Sequence, residues 1–280
     1  MRTSIILVIF LATSFHGFSQ FNLKDLTKPA KANMSSDSLL KMDAYFHNLV
    51  DTKELAGIQT AILRQGKLVH FDSYGHLDIE KKIPLDDKSI FRIFSMTKPI
   101  VSVALMQLYE QGKFKLEDPL YKYIPEFKEM NLLNGSILEP AKNPIKIIDL
   151  LRHTSGFSYG NTRNTTLNKY YAKADLHSSK TNEEFVMKLS KISLQFEPGT
   201  NWQYGLSTNI CGYLIEKFSG QSLNNYLIDS ILKPLKMKDT HFQLPKEKIK
   251  RFSTGYGWNN QNGLFVSENS DDNRYINKVT

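Results

Sequence analysis

Between Pro99 and Gly112 the chain contains a stretch that would be apolar on nearly every side of a helix. Its apolar residues are Ile100, Val101, Val103, Ala104, Leu105, Met106 and Leu108. A helix of this kind belongs in the interior of a domain, where other elements cover all of its faces. Proline suits the first turn of a helix and glycine its C-terminal end. The stretch therefore predicts one long buried helix around which the fold is arranged.

A serine and a lysine stand immediately before this helix, in the sequence Ser95-Met96-Thr97-Lys98. Side chains three residues apart lie on the same face of a helix. A serine hydroxyl becomes a strong nucleophile when a neighbouring base takes its proton, and a lysine with a lowered pKa can be that base. Backbone N–H groups at a helix N-terminus favour developing negative charge. The pattern indicates Ser95 as a nucleophile; the simpler alternative is a helix cap beside a solvated lysine.

The same serine–lysine spacing occurs at two other places, which we interpret differently. Ser38 precedes Lys41 by three residues, but it reads as part of the N-cap region of an amphipathic helix. Ser230 precedes Lys233, which is followed by Pro234. A residue before proline is disfavoured in the α region, so Lys233 is not expected deep in a helix. Neither serine is predicted to be a nucleophile.

The N-terminal residues 1–19 resemble a secretory signal peptide, with Arg2 followed by the apolar run 5–12. Cleavage after Ser19 would leave Gln20 as the first residue. The apolar run is too short to span a bilayer, and no later stretch is long and apolar enough. The sequence therefore predicts a periplasmic or secreted protein without a stable membrane span after cleavage.

Composition excludes several other classes of protein. The formal net charge is +8, but the lysines are scattered without a dense stripe, so no nucleic-acid partner is predicted. Cys211 is the single cysteine and lies among apolar residues, which indicates a small buried hydrophobe and no disulfide. The seven histidines show no paired metal-ligand spacing. We predict neither a metal nor a cofactor.

The remaining patterns divide the chain into a linker over 20–37 and a domain over 38–280. A helix beginning near Ser38 precedes a hairpin over 57–63 and 67–74, which turns at Gln65-Gly66. A helical lobe is predicted over roughly 113–235, with helices over 147–151, 204–218 and 222–232. The order indicates an α/β lobe interrupted by an all-α lobe, with Ser95 in the cleft between them.

Several segments resemble, in order and spacing, the serine β-lactamase-related family, which includes class C β-lactamases, D-amino-acid-specific peptidases and many esterases. The four motifs are 91–99 around the serine, 107–113 with 116–119, 150–156, and 196–199 with 202–207. Four separate motifs in order are far more specific than one serine–lysine pair.

The resemblance covers roughly residues 40–260 and implies the fold and the site. The implied fold is α/β (α+β), β-lactamase/transpeptidase-like, with an antiparallel sheet lobe and an all-helical lobe. Tyr204 falls where the family has a tyrosine facing the nucleophile, so the predicted catalytic residues are Ser95, Lys98 and Tyr204. Either a tyrosinate beside cationic Lys98 or a neutral Lys98 relayed through Tyr204 could take the serine proton. His153, with Asp149 nearby, belongs to a turn that is structural in this family.

Two departures from the family pattern shape the functional prediction. Leu206 stands where the family's β-lactamases have asparagine, and leucine offers no hydrogen bond to a substrate amide. We therefore expect an exported serine hydrolase that favours small carboxylic esters, with D-amino-acid peptidase or β-lactamase activity as alternatives.

The second departure is that the sequence shows no K-T-G or H-x-G strand motif of the family. The segment Ser253-Thr254-Gly255 resembles it but lies too early in the chain. The C-terminal sheet strands are expected to be missing, which leaves a non-catalytic binding protein or an inactive fragment as the rival hypothesis.

Overall fold

The computed structural model of the chain describes residues 26–270. Its helices are α1 (Ser36–Asp51), α2 (Thr97–Glu110), α3 (Ile147–Arg152), α4 (Thr165–Ala174), α5 (Asn182–Leu189), α6 (Ser207–Ser219) and α7 (Leu223–Leu227). Its strands are β1 (Gly57–Arg64), β2 (Lys67–Asp78), β3 (Ile83–Pro84), β4 (Asn131–Asn134), β5 (Ile137–Pro140), β6 (Gly255–Asn259) and β7 (Gly263–Glu268). A 3₁₀ turn over Phe94–Met96 leads into α2, and a π-helical turn over Ile228–Leu232 follows α7.

The predicted hairpin forms the centre of an antiparallel sheet with the strand order β1-β2-β3. It turns at Gln65 and Gly66, whose φ angles are +51° and +68°. Helix α1 begins at Ser36, slightly before the predicted start at Ser38. The N-cap is Ser35, whose hydroxyl accepts a hydrogen bond of 3.2 Å from the Ser38 amide. The antiparallel sheet expected from the resemblance is thus present.

The polar stretch before α1 is more ordered than the predicted linker over 20–37. Residues Pro29–Ala32 form a 3₁₀ turn rather than an extended segment, and Ala32 is fully buried. Proline at the first position of this turn sets φ, and Asn33 closes it in the left-handed region. The Thr27 amide also donates to the Leu68 carbonyl at 2.8 Å, which joins this segment to β2. The predicted signal peptide, residues 1–19, lies outside the described residues.

The helices α2 to α7 share one apolar core, whose largest fully buried side chains include Leu105, Leu108, Leu150, Phe157 and Leu189. Helices α3 to α7 lie within the stretch predicted to be helical. The prediction of an all-helical lobe is wrong, however, because the hairpin β4–β5 also lies there. Leu133 is buried, and its amide donates to the Leu194 carbonyl at 3.0 Å. Leu194 is far from the hairpin along the chain and stabilises it through this hydrogen bond. The sequence of the hairpin itself therefore does not predict it.

Helix α2 is buried on one side, in contrast to the prediction that it is covered all round. Val101, Leu105 and Leu108 are buried within the helical core, which includes residues of α6 and α7. Val103, on another face, is 52% exposed. The difference arises because the neighbouring helices cover a single face of α2. Gly112, with φ of +71°, follows the end of the helix as predicted.

Two predicted helices have different bounds in the structure. Helix α6 begins at Ser207 rather than at Tyr204, and Gly220 closes it as predicted. Lys233 follows the last residue of the π-helical turn and so does not lie deep in a helix, as predicted, although its φ and ψ angles of −65° and −50° are helical despite Pro234. The Lys233 amide donates to the Ile228 carbonyl at 2.8 Å, which holds the residue against the π-helical turn.

Strands β6 and β7 form a separate antiparallel pair that the sequence did not predict. Thr254, in the Ser253-Thr254-Gly255 segment, is buried, and its hydroxyl donates to Asp78 Oδ2 at 2.6 Å. The segment before β6 pairs with the chain that leads to Ser95, through a parallel bridge between Ile90 and Phe252.

Within residues 26–270, no helix combines the length and apolar composition needed to cross a membrane.

Candidate active site

Ser95 lies on a tight turn at the N-terminal end of α2, where its side chain is exposed. The Met96 amide donates to the Ile93 carbonyl at 2.8 Å and closes the turn. Phe94 has a φ of +41°, in the left-handed region that non-glycine residues rarely adopt. Strained backbone of this kind is concentrated at functional sites. The strained turn projects the Ser95 hydroxyl beside the positive end of the α2 dipole.

The structure brings Lys98 next to Ser95, as the spacing predicts. Lys98 Nζ donates to Ser95 Oγ at 3.3 Å and to the Tyr159 hydroxyl at 3.0 Å. At one of the other two serine–lysine pairs the lysine bonds a different residue, and at the other the serine lies on the surface. Lys233 Nζ bonds Asp229 Oδ1 at 2.7 Å, and Ser38 is an exposed first-turn residue of α1. Only Ser95 therefore combines the spacing with an arrangement suited to nucleophilic chemistry.

Tyr204 lies on the segment before α6, with Lys98 Nζ 4.8 Å from the centre of its ring. Hydrogen bonds from Ser95 and from Lys98 lower the pKa of Tyr204 below its usual value. Burial lowers the pKa of Lys98, but hydrogen bonds to Tyr159 and Tyr204 raise it by more, so that it lies above the usual value. Both shifts are in the direction required by one of the two proton routes that the sequence left open, in which cationic Lys98 stabilises Tyr204 as the base.

Tyr159 is a residue of the site that the sequence analysis did not predict. Its hydroxyl accepts the hydrogen bond from Lys98, and its ring centre lies 5.7 Å from that of Tyr204. The two tyrosines flank the lysine ammonium on segments far apart in the chain. The sequence does contain a signal for Tyr159, because this residue comes three positions after Gly156, which ends the His-Thr-Ser-Gly turn.

The two tyrosine segments are locked together by close backbone packing. A Cβ atom at Gly205 would lie 2.5 Å from the Phe157 carbonyl oxygen, so only glycine allows this approach. Ser155 Oγ and Ser207 Oγ share a buried hydrogen bond of 2.8 Å across the same junction. The positions of Tyr159 and Tyr204 are therefore set by the packed interior beneath them.

His153 supports this junction, as the sequence analysis expected. It ends α3 in the left-handed conformation, with φ of +58°, and its Nδ1 accepts a hydrogen bond of 3.4 Å from the Gly205 amide. Burial and the charge of Lys98 lower the pKa of His153, which favours the neutral ring that accepts this bond. Asp149 instead accepts from the Thr154 hydroxyl at 2.7 Å. His153 therefore has a structural role, supporting the segment that contains Tyr204.

Other candidate groups face away from this chemistry. Leu206 is 5% exposed and packs in the helical core, so it presents no polar group to a substrate. Cys211 is buried, and burial raises the pKa of its thiol to about 12. Within residues 26–270, no three histidine, cysteine, aspartate or glutamate side chains gather into a group that could hold a metal ion. Trp202, by contrast, is 62% exposed and lies nearly parallel to the Tyr204 ring at the rim of the site.

Comparison with known proteins places the chain in a family. The family model named Beta-lactamase matches residues 42–276. Protein Rv1367c of Mycobacterium tuberculosis is 28% identical over 226 residues, covering 79% of this chain and 56% of that protein. Esterase EstB of Burkholderia gladioli is 29% identical over 220 residues, covering 76% of this chain and 54% of EstB. The chain thus spans about half the length of the curated relatives it matches.

A solved structure gives the same result for the fold. EstCE1, described as a hydrolase with promiscuous acyltransferase activity, superposes with a TM-score of 0.71 at 25% identity, covering 83% of this chain and 60% of that protein. The mixed helical and antiparallel-sheet architecture is the β-lactamase/transpeptidase-like fold expected from the sequence motifs. The chain belongs to the Beta-lactamase family, whose members include esterases and acyltransferases that resemble it.

Proposed function

We propose that this protein is a serine hydrolase that forms an acyl-enzyme on Ser95 and favours small carboxylic esters. One observation carries the proposal: Lys98 Nζ lies 3.3 Å from Ser95 Oγ and 3.0 Å from the Tyr159 hydroxyl, with the Tyr204 ring 4.8 Å away. A nucleophile, a base and a cation that stabilises the base are thereby within reach of one another. The names of EstB, an esterase, and EstCE1, a hydrolase with promiscuous acyltransferase activity, support acyl transfer to water as the reaction class.

Acylation begins when the Tyr204 phenolate takes the Ser95 proton and Ser95 Oγ bonds to the carbonyl carbon of the ester. Lys98 stabilises the phenolate before the transfer, since opposite charges at this separation favour the charged forms. Negative charge then develops on the carbonyl oxygen near the N-terminal end of α2, where the helix dipole is favourable. The bond to the alcohol oxygen breaks, and the leaving alkoxide takes the proton from Tyr204. The acyl group remains as an ester on Ser95.

Deacylation repeats these steps with water in place of serine. Tyr204 takes a proton from a water molecule, whose oxygen bonds to the acyl carbon. The bond to Ser95 Oγ then breaks, Tyr204 returns a proton to Ser95, and a carboxylic acid leaves. The same tyrosine acts as base and then as acid in each half-reaction.

The preference for esters over amides rests on Leu206. A site that binds an amide gains affinity from a side chain that hydrogen-bonds the amide. Without such a side chain the polar group of the substrate amide is left unpaired, which strongly disfavours that substrate. Leu206 is apolar and packs inside the helical core. β-Lactam and D-amino-acid peptide substrates are therefore the less favoured alternatives of the same reaction class.

The experiment compares kcat/KM for p-nitrophenyl butyrate and for the lactam nitrocefin, with Ser95→Ala as control. We expect turnover of the ester by the wild-type protein, a clear preference for it over nitrocefin, and loss of both activities in Ser95→Ala. A preference for nitrocefin would overturn the ester assignment and retain the serine chemistry. Absence of turnover for both substrates would favour a binding protein that retains the cleft.

We also propose that the protein is exported to the periplasm or secreted. The support is the sequence of residues 1–19, in which one arginine precedes an apolar run. Expression with and without these residues, followed by cell fractionation and N-terminal sequencing, tests the proposal. The expected product is an exported chain that begins at Gln20; cytoplasmic retention of the full chain would overturn it.

A further inference from the structure

Arg92 is held by several partners from the last part of the described chain. Its Nε lies 2.8 Å from Glu268 Oε2 in an ion pair, and its side chain is 5% exposed. Its Nη1 donates to the Ser253 carbonyl at 2.5 Å, and its Nη2 donates to the Asn269 carbonyl at 2.8 Å. The guanidinium carbon lies 4.1 Å from the centre of the Phe252 ring. These contacts, which we call the Arg92 clamp, fix the guanidinium because it is planar and its donors point in fixed directions.

The Arg92 clamp joins the strand pair β6–β7 to the chain that leads into the nucleophile turn. Its acceptors lie just before β6 and at the end of β7. Arg92 itself lies three residues before Ser95. Close to it, the Ile90 amide donates to the Arg251 carbonyl at 2.7 Å, and the Ser253 amide donates to the Ile90 carbonyl at 2.9 Å. A side-chain clamp and a backbone pairing therefore connect the same two segments.

The nucleophile turn needs support on both sides, because it contains strained backbone. Phe94 has a φ of +41°, and a residue stays in such a conformation only when its surroundings fix the chain. After Ser95, α2 is fixed by side chains in the helical core, such as Val101. Before Ser95, Phe91 is 40% exposed, whereas the side chain of Arg92 is buried. Arg92 therefore supplies a buried anchor on that side of the turn.

We propose that Arg92 is a positioning residue for Ser95, through which β6–β7 supports the nucleophile turn. The proposal rests on the function proposed above and adds a part of the protein that controls the rate without touching the substrate. Without the Arg92 clamp, Phe94 can relax to an ordinary φ, which moves Ser95 Oγ relative to Lys98 Nζ, 3.3 Å away. A misplacement of about 1 Å can lower the rate of a reaction about 10²-fold.

The pH profile of the reaction would report a displaced Ser95 independently of the rate. A hydrogen bond from Ser95 is the largest cause that lowers the pKa of Tyr204. If Ser95 moves away, the pKa of Tyr204 rises, and the rising limb of kcat/KM shifts to higher pH. The other titratable neighbours of Tyr204 are retained, namely Lys98, His153 and Tyr159. A contact that only stabilised the fold would leave the midpoint of this limb unchanged.

The test compares Arg92→Ala with Thr254→Val in single-turnover acylation by p-nitrophenyl butyrate over a range of pH. Thr254 is the matched control, because its buried hydroxyl bonds Asp78 Oδ2 at 2.6 Å and so ties the same segment to β2. Arg92→Ala should lower the acylation rate constant roughly 10–100-fold, leave the half-saturating ester concentration unchanged and shift the pH midpoint upward. Thr254→Val should lose stability but keep the wild-type rate constant and midpoint.

Two further variants test whether the effect passes through the Arg92 clamp. Glu268→Ala removes the ion-pair partner on β7 and should lower the rate constant by a smaller factor, because the carbonyl acceptors remain. The double variant with Arg92→Ala should be no slower than Arg92→Ala alone, since both changes break one interaction. Arg92→Lys retains the charge but cannot reach the same acceptors together, so its rate constant should lie between those of wild type and Arg92→Ala.

A folded Arg92→Ala variant that acylates at the wild-type rate would overturn the proposal and leave the hydrolase assignment in place. An equal loss in Thr254→Val, or a rate loss with an unchanged pH midpoint, would also overturn it. If the wild-type protein neither hydrolyses the ester nor is labelled on Ser95 by a fluorophosphonate, the proposed function itself fails, and the positioning role fails with it. Thermal unfolding shows whether each variant is folded. If Arg92→Ala does not fold, Arg92→Lys and Glu268→Ala decide the question by the same criteria.

Discussion

The helical region, formed by α2 to α7, and the strand region, formed by α1 with β1 to β3, are stabilised in different ways. The helical region encloses many fully buried apolar side chains. In the strand region, α1 has one buried residue, Leu39, and faces β2 through three polar pairs. These pairs are Asp43 with His70 at 3.0 Å, His47 with Asp72 at 2.8 Å, and Asp51 with Tyr74 at 2.9 Å.

The spacing of these polar pairs follows from the two elements that meet. Partners on α1 recur every four residues, one helical turn, and partners on β2 every two residues, one strand repeat. Directional contacts fix the position of α1 with little apolar burial. The apolar interior of the helical region, in contrast, fixes Tyr159 and Tyr204 relative to α2. We therefore expect changes in the helical region to affect chemistry or stability strongly, and changes in the strand region to affect stability moderately and chemistry hardly at all.

The largest expected contrast is between two tyrosines, one in each region. Tyr204→Phe removes the hydroxyl that we propose takes the serine proton, and should lower the acylation rate about 10²–10⁴-fold. Tyr74→Phe removes a hydroxyl that bonds Asp51 and should leave the rate at the wild-type level. Stopped-flow kinetics with a nitrophenyl ester measures both. Wild-type acylation by Tyr204→Phe would show that this tyrosine is not the base.

The same pair of variants tests the pH dependence. The pKa of Tyr204 lies below its usual value of 10, because Ser95 and Lys98 hydrogen-bond to it. The phenolate therefore forms as pH rises through a midpoint below 10, and kcat/KM should rise with it. Burial lowers the pKa of Lys98 but its hydrogen bonds raise it by more, so the ammonium persists above the usual 10.5 and activity should fall only beyond that. Tyr204→Phe should lose the rising limb, and Tyr74→Phe should keep it.

Two positions on α2 test whether burial carries the stability of the helical region. Leu105 is fully buried, and Leu105→Ala should destabilise the protein by about 2–5 kcal/mol. Val103, on the exposed face of the same helix, is the matched control, and Val103→Ala should stay within about 0.5 kcal/mol of wild type. Urea unfolding followed by circular dichroism measures both. Equal losses at the two positions would mean that α2 is covered on both faces.

In the strand region, the polar pair between Asp43 and His70 should contribute a smaller amount. His70→Ala leaves the partly buried Asp43 carboxylate without its 3.0 Å partner, and should cost about 1–3 kcal/mol. A double-mutant cycle with Asp43→Ala isolates the interaction between the two side chains. The acylation rate of folded protein should not change. A rate loss in His70→Ala comparable with that of Tyr204→Phe would contradict the independence of the two regions.

The smallest expected effect concerns the start of α1. Ser35→Ala removes the hydroxyl that accepts from the Ser38 amide, and should cost about 1 kcal/mol. Ser36→Ala, one residue further into the helix, keeps the cap and serves as the control. Thermal unfolding distinguishes the two variants. An unchanged melting temperature in Ser35→Ala would mean that the polar pairs to β2 hold α1 without its cap.

In both regions, the sequence predicted those structural features that depend on residues within one short segment. The hairpin turn at Gln65-Gly66, the glycine after α2 and the approach of Lys98 to Ser95 all depend on residues a few positions apart. The family motifs placed Tyr204 beside them, and its catalytic role, like those of Ser95 and Lys98, stays a prediction.

Features that depend on distant partners were missed. Tyr159 reaches Lys98 only because Gly205 lets two remote segments pack closely. Strand β6 contains glycines, which weaken a strand signal. A Cβ at Gly257 would lie 2.6 Å from the outer edge of the Phe265 ring on the neighbouring strand, so a larger residue there would displace that ring. The exposed face of α2 likewise follows from which elements surround it, and not from its own composition.

Covalent labelling identifies the nucleophile most directly. The protein is treated with an alkyl fluorophosphonate over a range of pH, digested, and analysed by mass spectrometry, with Ser95→Ala and Tyr204→Phe in parallel. We expect one adduct, on the peptide that contains Ser95, formed faster as pH rises toward 10, slowed in Tyr204→Phe and absent in Ser95→Ala. An adduct on Ser38 or Ser230 with Ser95 unmodified, or labelling that persists in Ser95→Ala, would contradict the assignment of Ser95 as the nucleophile.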